Sequence, residues 1–151
     1  MNDLHTGKVE ITFPSHTQFV HMITMLASNA ATVAGFDEKQ AGKVAIATDE
    51  AVTNVIRHAY GGRSDRLISF TVEITPESLI LKVAHTGQGL KKSDIKLPVM
   101  KEYLQKKKPG GLGLFIINKF MDEVDYLDGE ENCCLMTKYR NKAGNQGAKA
   151  D

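Results

Sequence analysis

Glu50 and Asn54 stand four residues apart in Asp49-Glu50-Ala51-Val52-Thr53-Asn54, a run extended by Arg57-His58-Ala59-Tyr60. On a helix that spacing puts both side chains on one face. A carboxylate so placed can act as general base on a water or hydroxyl. An amide oxygen one turn on can ligate a hard cation such as Mg2+, which favours oxygen donors. A solvated helix face carries the same two residue types, so the pair alone decides nothing. A second group is His85-Thr86-Gly87-Gln88-Gly89, directly after a predicted strand. Gly87 and Gly89 permit a tight backbone and close approach of a ligand, and equally an ordinary loop turn. A third is Gly110-Gly111-Leu112-Gly113-Leu114, opening a predicted helix. Backbone N–H groups at a helix N-terminus favour phosphate, and glycines let it come close. No G-K-[ST] follows, so this is not a P-loop, and no strand directly precedes it, so it is not a Rossmann fingerprint.

Charge adds a fourth element. Between Leu90 and Pro109 seven lysines face two acids, a net +5, while the other 12 basic and 16 acidic residues give −4. A basic loop beside a phosphate-type glycine turn could close over a polyphosphate. Tyr103 is the one aromatic in that segment, which is a poor stacking platform for nucleic acid. The acidic stretch Asp122–Glu131 holds six acids and no base, and reads as a partner surface or as a solvated turn and strand edge. His5, His16, His21, His58 and His85 show no metal-ligand spacing, and no G-x-S-x-G elbow is present. Cys133 and Cys134 are adjacent; strand neighbours point to opposite faces, so one core and one surface thiol are expected, both reduced.

These residues need elements to position them. Lys8–Phe13 alternates polar and apolar residues as a strand does, and Pro14 should stop it. Ser15 with Gln18 reads as a capping box opening a helix that Gly35 ends. Asp37 with Gln40 reads as a second box, opening a helix that runs to about Ala59 and stops at Gly61-Gly62. On it Ala41, Val44, Ala45, Thr48, Val52, Val55 and Ile56 form the apolar stripe, with Lys43, Glu50, Asn54 and Arg57 opposite. Strands follow at about Arg66–Thr75 and Leu79–Ala84, around the turn-like Pro76-Glu77. Residues 85–113 read as a long loop with at most a short helix near Val99–Gln105. A third helix from about Leu112 to Met121 and strands near Glu123–Leu127 and Cys133–Tyr139 complete the order. The predicted fold class is α+β: a two-layer α/β sandwich with helices on one face of a mixed, mostly antiparallel sheet. One domain over residues 1–140 and a frayed tail over 141–151 are expected.

Composition sets the outer limits. The chain has 151 residues, 42% of them hydrophobic and 25% charged, which is enough for one self-sufficient core without disulfide or metal. A formal charge of +1 argues against a dedicated nucleic-acid coat protein. The apolar runs fall far short of the roughly 18 residues that span a bilayer, and the start lacks the apolar centre of a signal peptide. Neither nucleic acid nor membrane is an expected direct partner, and the expected location is cytoplasmic.

Taken together and in order, the motifs resemble those of the GHKL (Bergerat-fold) ATPases. ATDEAVTNVIRHAYGG resembles the family's N box, VAHTGQGL its D-x-G-x-G box, and PGGLGLFIINKFMDEVDY its second glycine box. The similarity runs from about Val9 to Tyr139 and is strongest to the small bacterial anti-sigma factor/serine-protein kinases that act in partner-switching pathways. The resemblance implies ATP and Mg2+ as ligands, Glu50 as the base that deprotonates a partner's seryl hydroxyl, and Asn54 as the Mg2+ ligand. It implies that His85, Gly87 and Gly89 line the adenine and ribose pocket, with Arg57 nearby. Residues 90–109 would form the lid, and Gly110, Gly111, Leu112, Gly113 and Leu114 would hold the phosphates, with Lys107 or Lys108 near the γ-phosphate on grounds of charge. The implied partners are a sigma factor and a STAS-type anti-sigma antagonist, with homodimers common in the family.

Position 85 departs from the pattern. The family's box begins with Asp, which accepts a hydrogen bond from the adenine amino group. A neutral His offers one acceptor nitrogen and a protonated one offers none. Losing a good buried hydrogen bond costs about 1–3 kcal/mol, so ATP binding weakened, redirected in base preference, or lost are the three expectations. Two other readings follow: a degenerate ATPase-fold module acting by protein contact only, and a nucleic-acid binder working through the lysine segment, whose affinity would fall steeply with salt.

Overall fold

The computed structural model describes residues 6–89 and 112–140. The elements are β1 (Gly7–Pro14), α1 (Val20–Val33), α2 (Glu38–Asn54), β2 (Leu67–Ile74), β3 (Ser78–His85), α3 (Leu112–Phe120), β4 (Glu123–Leu127) and β5 (Asn132–Tyr139). The predicted lysine segment, the short helix near Val99–Gln105 and the tail lie outside the described residues.

The strands form one sheet in the order β1-β2-β3-β5-β4. Every neighbouring pair is antiparallel, which corrects the expected mixed sheet. The chain leaves β3, passes through α3, and enters β4 running in the same direction as β3. β5 then returns by a hairpin and inserts between them, so no two parallel strands become neighbours.

Alternation along the strands decides which face is buried. Ile68, Phe70 and Val72 of β2, Leu79, Leu81 and Val83 of β3, and Cys134 and Met136 of β5 point to one face and are buried. Against them pack Ile23, Ala27 and Ala31 of α1, Val44, Thr48 and Val52 of α2, and Ile117 of α3. The predicted α2 stripe is broadly right, but Ala47 and Ala51 join the buried set and Ala45 is half-exposed. The reason is that α2 touches a helix on each side, α1 and α3, so its buried arc is wider than one stripe.

The helix ends follow their signals in part. Asp37 and Gln40 make a reciprocal capping box, with Gln40 N–H donating to Asp37 Oδ1 at 2.8 Å. Gly35, Gly61 and Gly62 take φ values of +96°, +59° and +83° where the chain leaves α1 and α2. The Ser15 box does not form. Ser15 is buried; its hydroxyl donates to Arg63 O at 2.6 Å and accepts from Arg66 N–H at 3.1 Å, tying the start of α1 to the loop before β2. His16 Nδ1 takes the capping role, accepting from Gln18 N–H ahead of a single 3-10 turn. Both cysteines are buried, which corrects the expected surface thiol. Cys133 lies in register between Ala84 and Leu127 on the neighbouring strands and lines the cleft described below. Among the described residues no helix is long and apolar enough to cross a membrane.

Candidate functional site

The end of α2 is where the predicted groups converge. After Asn54 the helix widens into a π-helical turn, Val55–Ala59, a feature often found at functional sites. The turn presents Ala59 O to Gln88 N–H at 3.0 Å. Tyr60 follows; its hydroxyl donates to Leu67 O at 2.6 Å and accepts from Thr86 N–H at 3.0 Å. Residues 86–88 are thus pinned against the helix end. Gly87 is required here by packing: a Cβ at that position would lie 2.5 Å from Ala59 O and 2.7 Å from Tyr60 Cδ1. The sequence left Gly87 open between ligand approach and a loop turn; in the structure its missing Cβ makes room for the end of α2. Gly89 has a Cβ position 2.9 Å from Asn132 Oδ1. Asn132 Nδ2 donates to Gly87 O at 2.9 Å.

Glu50 and Asn54 lie one turn apart on the face of α2 that meets α3. Each is half-buried, not solvated as a free helix face would be. Gly113 makes this possible, because a Cβ on it would sit 2.6 Å from Glu50 Oε2 and 3.7 Å from Asn54 Nδ2. Among the described residues neither side chain has a hydrogen-bond partner. Burial and the neighbouring Asp49 carboxylate push the Glu50 pKa above the ordinary value, opposed by the Arg57 guanidinium. Arg57 itself is exposed.

A cleft of about 370 Å³ opens beside this pair, between α2, α3 and the ends of β3 and β5. Of the predicted residues, Asn54, His85, Gly89 and Leu114 line it; Glu50, Arg57, Gly87, Leu112 and Gly113 do not. Lys107, Lys108, Gly110 and Gly111 lie outside the described residues. The cleft also takes in His58, from the first run, and Tyr126 and Asn132, which sequence reasoning passed over. Asn132 carries no local signal; the register His85↔Asn132 brings it in. His85 belongs to β3 and not to the loop after it. It is 8% exposed, and burial holds its pKa below the usual value against the opposing pull of Glu131.

Two alternative chemistries find no support among the described residues. No group of three or more His, Cys, Asp or Glu could hold a metal by itself. The Cys134 thiol is pushed up to about 12 by burial, so the thiolate that a cysteine nucleophile needs is not populated near neutral pH. An Mg2+ ion fits differently. It commonly binds through one or two protein oxygens together with substrate phosphates, and the unpaired Asn54 amide next to a carboxylate is such a donor set.

Comparison with known proteins identifies the family and the fold. The histidine kinase-like ATPase domain family matches residues 13–138. The serine-protein kinase RsbW of Listeria innocua is 30% identical over 139 residues, 89% of this chain and 88% of the relative. The serine-protein kinase RsbW of Bacillus mycoides is 29% identical over 146 residues, 93% of this chain and 91% of the relative. Two solved structures share the fold. One holds the RsbU and RsbW domains of a Mycobacterium tuberculosis protein, at a TM-score of 0.62 and 15% identity, covering 88% of this chain and 32% of that one. The other is the SiaB-SiaC complex from Pseudomonas aeruginosa, at a TM-score of 0.60 and 12% identity, covering 87% and 88%. With motif order, fold and matched length in agreement, the chain belongs to the histidine kinase-like (GHKL) ATPase family and, within it, to the anti-sigma factor/serine-protein kinases.

Proposed function

We propose that this chain is a partner-switching serine-protein kinase that binds ATP with Mg2+ in the cleft and phosphorylates a STAS-type anti-sigma antagonist. The unphosphorylated antagonist and a sigma factor compete for it, so phosphate transfer controls which of the two it holds. The reading places it in the cytoplasm, as a homodimer. The observation that carries it is the Glu50–Asn54 pair held side by side under Gly113 at the edge of the cleft. The RsbW relatives, serine-protein kinases by name, support the reaction class. The SiaB-SiaC neighbour, solved as a complex, supports a protein partner.

In this reading the base sits in the cleft against His85 and Gly89, with Leu114 as an apolar wall, and position 85 meets the six-position of the purine. Asn54 ligates Mg2+, which when bound neutralises charge on the phosphates. The turn at Gly110–Leu114 holds the phosphates through backbone N–H groups at the start of α3, with Lys108 near the γ-phosphate and Arg57 at the rim. Glu50 accepts the proton of the partner's seryl hydroxyl. The seryl oxygen forms a bond to the γ-phosphorus, the bond from that phosphorus to the β-phosphate oxygen breaks, and nucleoside diphosphate leaves.

Replacing Glu50 tests this directly. Glu50→Gln should lower phosphate transfer to a purified antagonist by about 10²–10⁴-fold, while Mg-nucleotide binding by calorimetry stays within a few-fold. Unchanged transfer would reject Glu50 as the base. Tight antagonist binding with no transfer by the wild type would favour the reading in which the fold acts by protein contact alone.

A further inference from the structure

The wall of the cleft contains a ring whose hydrogen-bonding polarity can be assigned. His85 closes β3 on the sheet face that packs against the helices, two residues after the buried Val83. Its Nδ1 accepts from Gly87 N–H at 3.1 Å. A nitrogen that accepts carries no hydrogen, so in a neutral ring the proton is on Nε2. A ring turned over about χ2 would set Cδ2–H against Gly87 N–H and lose that bond. The ring meets Tyr60 edge-on, with centroids 5.8 Å apart and planes at 79°. Gly87 is held in turn by Asn132 and by its own contact with Ala59. Among the described residues nothing accepts from Nε2–H, and the ring lines the cleft. What His85 offers a ligand is therefore one donor and no acceptor.

From this polarity we infer that His85 selects a purine with an acceptor at its six-position, a 6-oxopurine nucleoside triphosphate, over the 6-aminopurine of ATP. The inference rests on the reading that the cleft is the nucleotide site and that position 85 meets the six-position. An exocyclic amino group donates and cannot accept from Nε2–H, so adenine leaves both donors facing each other. The oxygen of a 6-oxopurine accepts that hydrogen. A carboxylate at position 85 would have the opposite preference. Mg-ATP remains a ligand through its sugar and phosphates, with the contact to the base removed.

The test is a pair of titrations on the full chain, with Mg-ATP and Mg-ITP, which differ in the six-position group and the N1 protonation that goes with it. Wild type should bind Mg-ITP roughly ten- to a hundredfold more tightly than Mg-ATP, and His85→Asp should invert the order. Equal affinities, or a preference for Mg-ATP in the wild type, would overturn the inference while leaving the cleft as the nucleotide site. Binding of neither nucleotide would overturn that site assignment and the inference with it. Should His85→Asp fail to fold, ¹⁵N-histidine spectra of the wild type decide. The His85 ring should show the Nε2-protonated form, with the Nε2 resonance moving on addition of Mg-ITP and not of Mg-ATP. An Nδ1-protonated or doubly protonated ring would refute it.

Discussion

Glu50 illustrates how much a single residue's surroundings change its chemistry. The i, i+4 spacing with Asn54 is visible in the sequence, but a helix surface would leave that carboxylate an ordinary acid. α3 lies over it, and burial with the Asp49 charge raises its pKa while Arg57 holds it down. The sign of the consequence is fixed. As the proposed general base Glu50 must be ionised, so transfer should fall as pH drops through its pKa, and that acid limb should lie above the value of an ordinary glutamate. Arg57→Gln removes the charge that favours the carboxylate. The pKa rises further, and the acid limb of kcat against pH should move to higher pH with the plateau rate retained. A limb that stays in place or moves to lower pH would mean that Glu50 is not the titrating base. The glycines teach a related lesson. Their presence in two clusters was legible, but not their reasons: Gly113 clears room for Glu50 and Gly87 packs on Ala59. Which neighbour a missing Cβ accommodates depends on tertiary placement that no local pattern encodes.

At the scale of elements, the π-helical turn and Tyr60 join α2 to the end of β3. Tyr60 is 7% exposed and its hydroxyl serves two backbone groups, Leu67 O and Thr86 N–H. Tyr60→Phe keeps the ring against His85 and removes only those bonds. Leaving a buried backbone group unsatisfied costs about 1–3 kcal/mol, so chemical denaturation should report a loss in that range. Nucleotide affinity should fall beyond what the stability loss explains, because Thr86–Gly89 loses an anchor. A stability change without any change in affinity would separate this anchor from the site. Legibility followed the range of the interactions involved. The α2 capping box, the glycine stops and β4 were readable because they are local, with boundaries set by residues three or four apart. Ser15 was misread because its partners, Arg63 and Arg66, are some fifty residues away. The sheet was misread as mixed because inserting β5 between β3 and β4 is a property of topology. Asn132 entered the cleft by the same register.

Over the whole molecule, charge and fold point to the same place. A formal +1 conceals a +5 segment and a −4 remainder. The described fold sets the flanks of that segment at the cleft: Gly89 before it and Leu114 after it both line the wall. A ligand with several negative charges is the one such a distribution favours. Binding to the folded chain alone must then stabilise it by mass action. At a hundredfold excess over Kd the gain is about 2.7 kcal/mol, which for a domain of this size corresponds to a rise in Tm of roughly 5–10 °C. Differential scanning calorimetry with Mg-nucleotide should show that rise, and it should shrink when EDTA removes Mg2+. On the proposed reading, in which the Asn54 amide contributes through the ion, Asn54→Ala should abolish the difference between the two conditions while leaving a residual metal-independent rise. A rise indifferent to EDTA in the wild type would remove Asn54 from the metal site, and the absence of any rise would remove the cleft as the seat of the ligand.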